Sequence, residues 1–373
     1  MINKEKLNRI LCILVAMYLL IAPALIFSQL NNDYYSAGEK NYQGVIELWN
    51  IDTFEGGSSS RSGWLKKAAI QFEKKNIGTF IAVKNMTYEQ LIEELVVGYL
   101  PDLISYGVGT GNVILPYLQA YKGNVTSRND ITSGGYYKGT LYGVPWVMGG
   151  YALIGNTEII NRKFENITNL NENAFSLTYK TKKNTITSFT TAGNGYNAGL
   201  LSFLKNSSNR TTMATLDSEI INNTLYNAYE KFIAGKSCVL LGTTRDVYRC
   251  DNRMANGLGD YKYSFLGGYT DLVQYMSVIT TDTKAKKMAE KYIEFIISKE
   301  LQNTIKNISM FSTSLTDLYT ATPYSDFEKV LSNELTVLNV FTDKENIKNI
   351  ISNSLLAILG DSDAQKQCEK IYN

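Results

Sequence analysis

Histidine is absent from the 373-residue chain. That excludes zinc hydrolysis through histidine ligands, Ser–His or Cys–His nucleophilic catalysis, and histidine acid–base chemistry. The four cysteines, Cys12, Cys238, Cys250 and Cys368, form no Cys-x-x-Cys pair, so neither a metal knuckle nor a dithiol redox motif is present. A Cys238–Cys250 bridge is one option outside the cell. The other is that Cys238, in the run Cys238-Val239-Leu240-Leu241, is a small buried hydrophobe. Charge of one sign is also lacking: 37 Lys and Arg against 35 Asp and Glu leave +2, which gives no pull toward nucleic acid. The glycine-rich pieces Gly107–Gly111 and Gly193–Gly195 have no Walker lysine–Ser/Thr pair, so no nucleotide-binding motif is present.

With 44% hydrophobic residues, a chain of this length builds a large core in two domains or one big one. The 26 tyrosines suit polar surfaces that also need flat apolar faces.

Lys4, Lys6 and Arg9 precede an apolar run from Ile10 to Phe27 broken by Pro23. Positive residues before a hydrophobic core send the following chain across a membrane. The run, about 18 residues, is at the lower limit for spanning. Residues 1–28 are therefore either a cleaved signal peptide or a retained anchor. Cys12 follows Leu11 near the start of the run, so it does not fit a lipidated cysteine. Residues 29–44 are polar, without periodicity, and read as a tether.

Beyond it, Val45–Asn50, Thr79–Val83 and Asp102–Tyr106 read as strands. Gly63–Lys75 reads as a helix with Trp64, Leu65, Ala68, Ala69 and Phe72 on one face, and a second helix follows the Thr87/Gln90 capping box. Strand–helix alternation implies a parallel sheet, whose ligands bind beyond the carboxyl ends of the strands. Tyr137–Pro145 has hairpin chemistry, and Tyr151–Gly155 is a strand able to cross to a second lobe. There, Asn184–Phe189 and Ser237–Leu241 are strands and Leu216–Ile233 is a helix. Gly242 opens another helix, capped by Thr243 and Asp246. Gln274–Thr280 is a strand able to return, Thr283–Ile297 a helix with Met288, Ala289, Tyr292, Ile293 and Ile296 toward the core, and the tail is helical, including Ile347–Leu359.

Five blocks occur in an order and spacing similar to one family. They are Trp49-Asn50 with Thr53-Phe54-Glu55-Gly56-Gly57, Arg61, Trp64-Leu65 and Phe72-Glu73; Pro101-Asp102-Leu103-Ile104-Ser105-Tyr106-Gly107; Leu141-Tyr142-Gly143-Val144-Pro145-Trp146 with Tyr151 and Asn156; Phe232-Ile233-Ala234-Gly235-Lys236 with Leu240-Leu241-Gly242-Thr243; and Ala289–Ile296 with Gln302. From Val45 to the C-terminus the chain resembles the family 1 extracellular solute-binding proteins, which include maltose-binding protein. The resemblance implies an α/β, periplasmic-binding-protein-like type II fold, two α/β lobes with a ligand cleft between them. The N-terminal lobe would be 45–148 with about 270–311, the C-terminal lobe 149–269 with about 312–373, with crossovers near Met148–Tyr151, Gly268–Leu272 and after Phe311. The ligand-binding residues it implies by position are Trp49, Glu55, Tyr106, Trp146, Tyr196, Thr244 and Arg245. Lys163–Lys183 is richer in Asn and Lys than the family's pattern, which loosens the match in the second lobe.

Each of these residues has a plainer alternative. Aromatic rings stack on sugar faces while carboxylates, amides and guanidinium groups bond the hydroxyl rim. Trp49 and Trp146 are either such rings or core, whereas Trp64, on a helical stripe, is core. Glu55 either accepts from ligand hydroxyls or pairs with Arg61. Arg245, in the first turn of its helix, either holds an acidic ligand with the open amides or bridges to Asp246 or Asp251. Asp52 and Glu55 also form a weak candidate glycosidase pair.

The expectation is a non-enzymatic, extracytoplasmic solute-binding protein of an ABC importer, on the outer face of the membrane or secreted, with no cofactor and no metal. It would capture a small polar ligand, a mono- or oligosaccharide first, and deliver it to permease transmembrane subunits. The alternatives are an extracellular carbohydrate-active enzyme and a membrane-anchored ligand sensor on the same fold.

Overall fold

The structure is a computed structural model; it describes residues 42–159, 189–191, 198–206, 228–235, 239–358 and 361–372. The export segment, nearly all of the tether, Tyr196, Cys12, Cys238 and most of the expected helix Leu216–Ile233 lie outside the described residues. Gly44–Asn373 is one compact unit.

Strand β1 (Gly44–Ile51) ends in four buried residues, as a strand covered on both faces must. Helix α1 (Arg61–Lys75) starts two residues earlier than the apolar stripe suggests, because the Ser60 side chain caps it by accepting from the Gly63 amide. Strand β2 (Thr79–Met86) runs past the expected end at Val83. Helix α2 (Tyr88–Val96) opens with both bonds of the Thr87/Gln90 capping box. Strand β3 (Leu103–Tyr106) is wholly buried. A hairpin joins β4 (Tyr136–Tyr137) to β5 (Thr140–Leu141); Lys138 and Gly139 both have positive φ, 48° and 78°, the requirement of a type I′ turn.

Strand β6 (Val144–Met148) leads through Gly149-Gly150 into β7 (Tyr151–Asn156). Next come β8 (Phe189–Thr191), α3 (Ala198–Asn206), α4 (Ala228–Ile233), β9 (Val239–Thr243) and α5 (Thr244–Ala255). Gly242 does not open the helix: the strand continues through Thr243, which then caps α5. The chain proceeds through β10 (Tyr261–Leu266), β11 (Tyr269–Thr270), β12 (Val273–Val278), α6 (Thr283–Ile296), α7 (Tyr324–Leu331), β13 (Thr336–Val337), α8 (Lys344–Ile358) and α9 (Ser362–Tyr372).

Two sheets result. The first has order β2-β1-β3-β12-β6; β2 and β3 run parallel to β1, and β12 is antiparallel to β3 and β6. Helices α1 and α6 meet on it through the edge contact of Phe72 with Tyr292, centroids 5.1 Å apart. The second has order β10-β7-β9-β8. Helix α5 packs on it, and α7 reaches β10 through the stack of Phe327 on Phe265, centroids 4.3 Å apart. Helix α8 packs against α9 and α3. These are two α/β lobes.

The chain crosses between the sheets at Gly149-Gly150 and again at Asp271-Leu272, and the two crossings are bonded to each other, Gly149 N to Leu272 O at 2.8 Å. Beside them Met148 and Phe311 exchange both backbone bonds, at 3.0 and 2.9 Å. Tyr151 donates to Asp271 Oδ1 at 2.7 Å. Burial raises the Asp271 carboxyl to about 7, against the pull of that bond.

Cys250 and Cys368 are buried free thiols; Cys238, the other half of the candidate bridge, lies outside the described residues. Burial, with the Asp246 charge adding to it, pushes the Cys250 thiol up to about 12.

Candidate functional site

At the carboxyl end of β1 the buried Asn50 anchors the loop that follows. Its amide donates to Asp52 Oδ1 at 3.0 Å and Asn85 Oδ1 at 2.8 Å, and its carbonyl accepts from Gln274 Nε2 at 3.0 Å. Gln274 also reaches Ser105 Oγ at 3.0 Å, so β1, β3 and β12 support the loop together. Arg61, only 1% exposed, donates from Nε to Asp52 Oδ1 at 2.9 Å and from Nη2 to the Phe54 carbonyl, with its guanidinium 4.1 Å above the Phe54 ring. Nη1 has no partner among the described residues. Desolvation lowers the Arg61 pKa and the Asp52 charge opposes that shift. Gly57 is pressed against the 308–310 backbone, where an added Cβ would lie 2.1 Å from the Ser309 carbonyl oxygen.

The facing wall is the start of α5. Thr243 caps it, with Asp246 Oδ2 accepting from Thr243 N at 2.9 Å. Burial raises the Asp246 carboxyl to about 6, against the capping bonds and Arg249. Arg245 Nη1 donates to the Gly57 carbonyl at 2.5 Å, and Arg249 meets Glu55 at 3.4 Å. Between loop and helix is a cavity of about 480 Å³, walled by Asp52–Gly56, Ser58–Arg61 and Arg245. Nine of the ten lining residues belong to the β1–α1 connection and the start of α1, and the tenth, Arg245, comes from α5 on the second sheet.

No family model matches the sequence, and no curated protein does either. Solved structures do. The GacH receptor of Streptomyces glaucescens aligns over 89% of this chain and 97% of its own, with TM-score 0.61 at 13% identity. The cyclic alpha-maltosyl-1,6-maltose binding protein from Arthrobacter globiformis aligns over 89% and 98%, with TM-score 0.63 at 10% identity. A family 1 extracellular solute-binding protein from Bifidobacterium longum subsp. infantis aligns over 88% and 98%, with TM-score 0.61 at 13% identity. The chain has the fold of the family 1 extracellular solute-binding proteins.

Within this solute-binding fold the expected site residues divide. Glu55 and Arg245 line the cavity. Trp49, Tyr106 and Trp146 do not: all three are fully buried, which corrects their assignment to the cleft. Trp49 donates to Glu47 Oε1 at 2.8 Å and packs against Tyr99, centroids 5.6 Å apart. The Tyr106 hydroxyl is bonded to Ser277 Oγ at 2.7 Å. Trp146 stacks on Trp64 with centroids 5.3 Å apart and donates to Ser105 Oγ at 3.1 Å. Each indole or phenol has its polar atom satisfied inside the first lobe, so none presents a face to a solute. Thr244 is corrected likewise: its buried hydroxyl accepts from Gly150 N at 2.8 Å and serves the crossover.

Two pairings also differ. Arg61 pairs with Asp52 rather than Glu55, and Glu55 pairs with Arg249. Arg245 reaches a backbone carbonyl across the cleft, not Asp246 or Asp251. Sequence reasoning missed Arg61 and Ser58–Ser60 as cavity residues. The signal available was the Gly56–Arg61 run ending at a helix N-cap.

Proposed function

We propose that this chain is the extracytoplasmic solute-binding component of an ABC importer, capturing a small polar ligand, a carbohydrate first, by closure of its two lobes. The observation that carries this is the cavity beside the β1–α1 loop, to which Arg245 reaches from the second sheet. Ligand contact with both walls favours the closed arrangement by its differential affinity. Similar structures support the carbohydrate class: the GacH receptor has been solved with acarbose, a Listeria monocytogenes protein with cycloalternan and a Bdellovibrio bacteriovorus domain with maltotriose. The chain works on the outer face of the membrane or as a secreted protein, handing its cargo to permease subunits, and residues 1–28 serve as signal or anchor. The N-terminal lobe is 45–148 with about 270–311 and the C-terminal lobe 149–269 with about 312–373.

The role is binding rather than catalysis. Asp52 and Glu55 are each paired with an arginine and lie on one loop of one wall, whereas the two carboxyls of a glycosidase pair flank the scissile bond.

The test is a thermal-shift screen of the purified protein against neutral and acidic sugars, with the radius of gyration measured for each hit. A raised Tm and a smaller radius are expected. No response in either measurement across the library would sink the reading. Mass spectrometry of the mature N-terminus separates a cleaved signal from a retained anchor.

A further inference from the structure

We propose that the solute of this cavity is a saccharide bearing a carboxylate, held by charge through Arg61, Arg245 and the N-terminal end of α1 rather than by stacking on aromatic rings. This rests on the solute-binding reading above and names the solute class of the same site.

The first observation is Arg61. It lines the cavity, is buried, and has Nε and Nη2 engaged while Nη1 stays without a partner among the described residues. A buried donor left unsatisfied is costly, and a carboxylate oxygen would complete it with a charge-assisted bond. The second is Arg245. Its guanidinium bonds the Gly57 carbonyl and lies 5.7 Å from the Tyr248 ring centroid, and it forms no ion pair among the described residues. The nearby acids are engaged elsewhere: Asp52 bonds Arg61, and Glu55 and Asp246 share Arg249, so none of them is paired with Arg245.

The third is α1 itself. Its N-cap Ser60 and first residue Arg61 both line the cavity, and its first turn holds no acidic residue. The positive end of a 15-residue helix thus adds to the two guanidinium groups.

The fourth is what the wall offers to a sugar ring. The aromatic residue in the lining is Phe54, 5% exposed and already covered by Arg61. Trp49, Tyr106 and Trp146 are sealed in the first lobe. The hydroxyls of Ser58–Ser60 remain for bonds to sugar hydroxyls. A volume near 480 Å³ falls within the range of small-ligand sites.

The test is isothermal titration of the full chain with glucuronate, galacturonate and their disaccharides, each paired with its neutral counterpart, and with inorganic phosphate alone. Binding of the uronates, at least tenfold tighter than the neutral partners and weakening with added salt, is expected. Arg245→Gln should weaken uronate binding about tenfold to a hundredfold, with Arg245→Lys recovering part of it. The ligand-free Tm of each variant provides the folding control. Equal affinity for neutral and acidic members would overturn the charge assignment while leaving the solute-binding role intact. A phosphate response as strong as the uronate response would overturn the saccharide assignment. Silence from every sugar, neutral or acidic, would remove both readings.

Discussion

Arg245 of the second lobe donates to the backbone carbonyl of Gly57 in the first, across 2.5 Å. A cleft wall on one sheet is thereby tied to the loop that forms the other wall. Replacing Arg245 with alanine removes that tie. Solution scattering of the ligand-free protein should show a larger radius of gyration for Arg245→Ala than for wild type; an unchanged radius would mean the bond does not hold the lobes.

Glu55 and Arg249 also cross the cleft, but with side chains 59% and 30% exposed. Exposed pairs contribute little, about 0.2–1 kcal/mol. Glu55→Gln should therefore change urea-unfolding stability by less than about 1 kcal/mol, and what effect it has should vanish at high salt.

Gly57 has no room for a side chain, since an added Cβ would sit 2.1 Å from the Ser309 oxygen. Gly57→Ala must displace the loop from the 308–310 backbone. A lower Tm is expected, together with weakened ligand binding, because the displaced loop carries the cavity wall. A variant with wild-type Tm and affinity would contradict this account of the loop.

Trp146 is sealed in the first lobe and should act on stability rather than on ligand binding. Trp146→Phe loses the bond to Ser105 and part of the stack on Trp64. The expected cost is about 1–3 kcal/mol of stability, with ligand affinity unchanged in folded protein. Lost affinity at undiminished stability would restore Trp146 to the cleft.

Asp271 gives a pH dependence of definite sign. Its carboxyl titrates near 7 when folded against 3.8 for an ordinary aspartate. Below pH 4 both folded and unfolded states hold the proton, so there is no penalty. As pH rises, the unfolded chain ionises first, and stability falls until the folded carboxyl ionises near pH 7. The stability of wild type relative to Asp271→Asn should therefore decline from pH 4 to 7 and level off above. Asp246, raised to about 6, gives the same trend over pH 4 to 6 in wild type and variant alike, and so cancels from that difference. Stability rising through that window in wild type relative to the variant would refute the assignment.

Much of the architecture was legible because local rules sufficed. The capping boxes at Thr87 and Thr243, the stripe Trp64–Phe72, and the alternation of strands with helices each depend on residues close in sequence. The site was less legible because its partners are distant. Trp146 is satisfied by Ser105, Tyr106 by Ser277, and Arg245 by Gly57. Their positions after strands suggested the cleft, but a sheet covered on both faces buries strand-end aromatics of either parity. Arg61 was read through the nearer-looking Glu55, while the turn of the loop brings Asp52 to it instead.

The exchange of both backbone bonds between Met148 and Phe311, beside the Gly149–Leu272 contact, gives the two halves a pivot stitched in more than one place. Such a joint resists sliding and shearing far better than it resists twisting about its own line. Whatever settles in the cavity would therefore register mainly as an angle between the two halves.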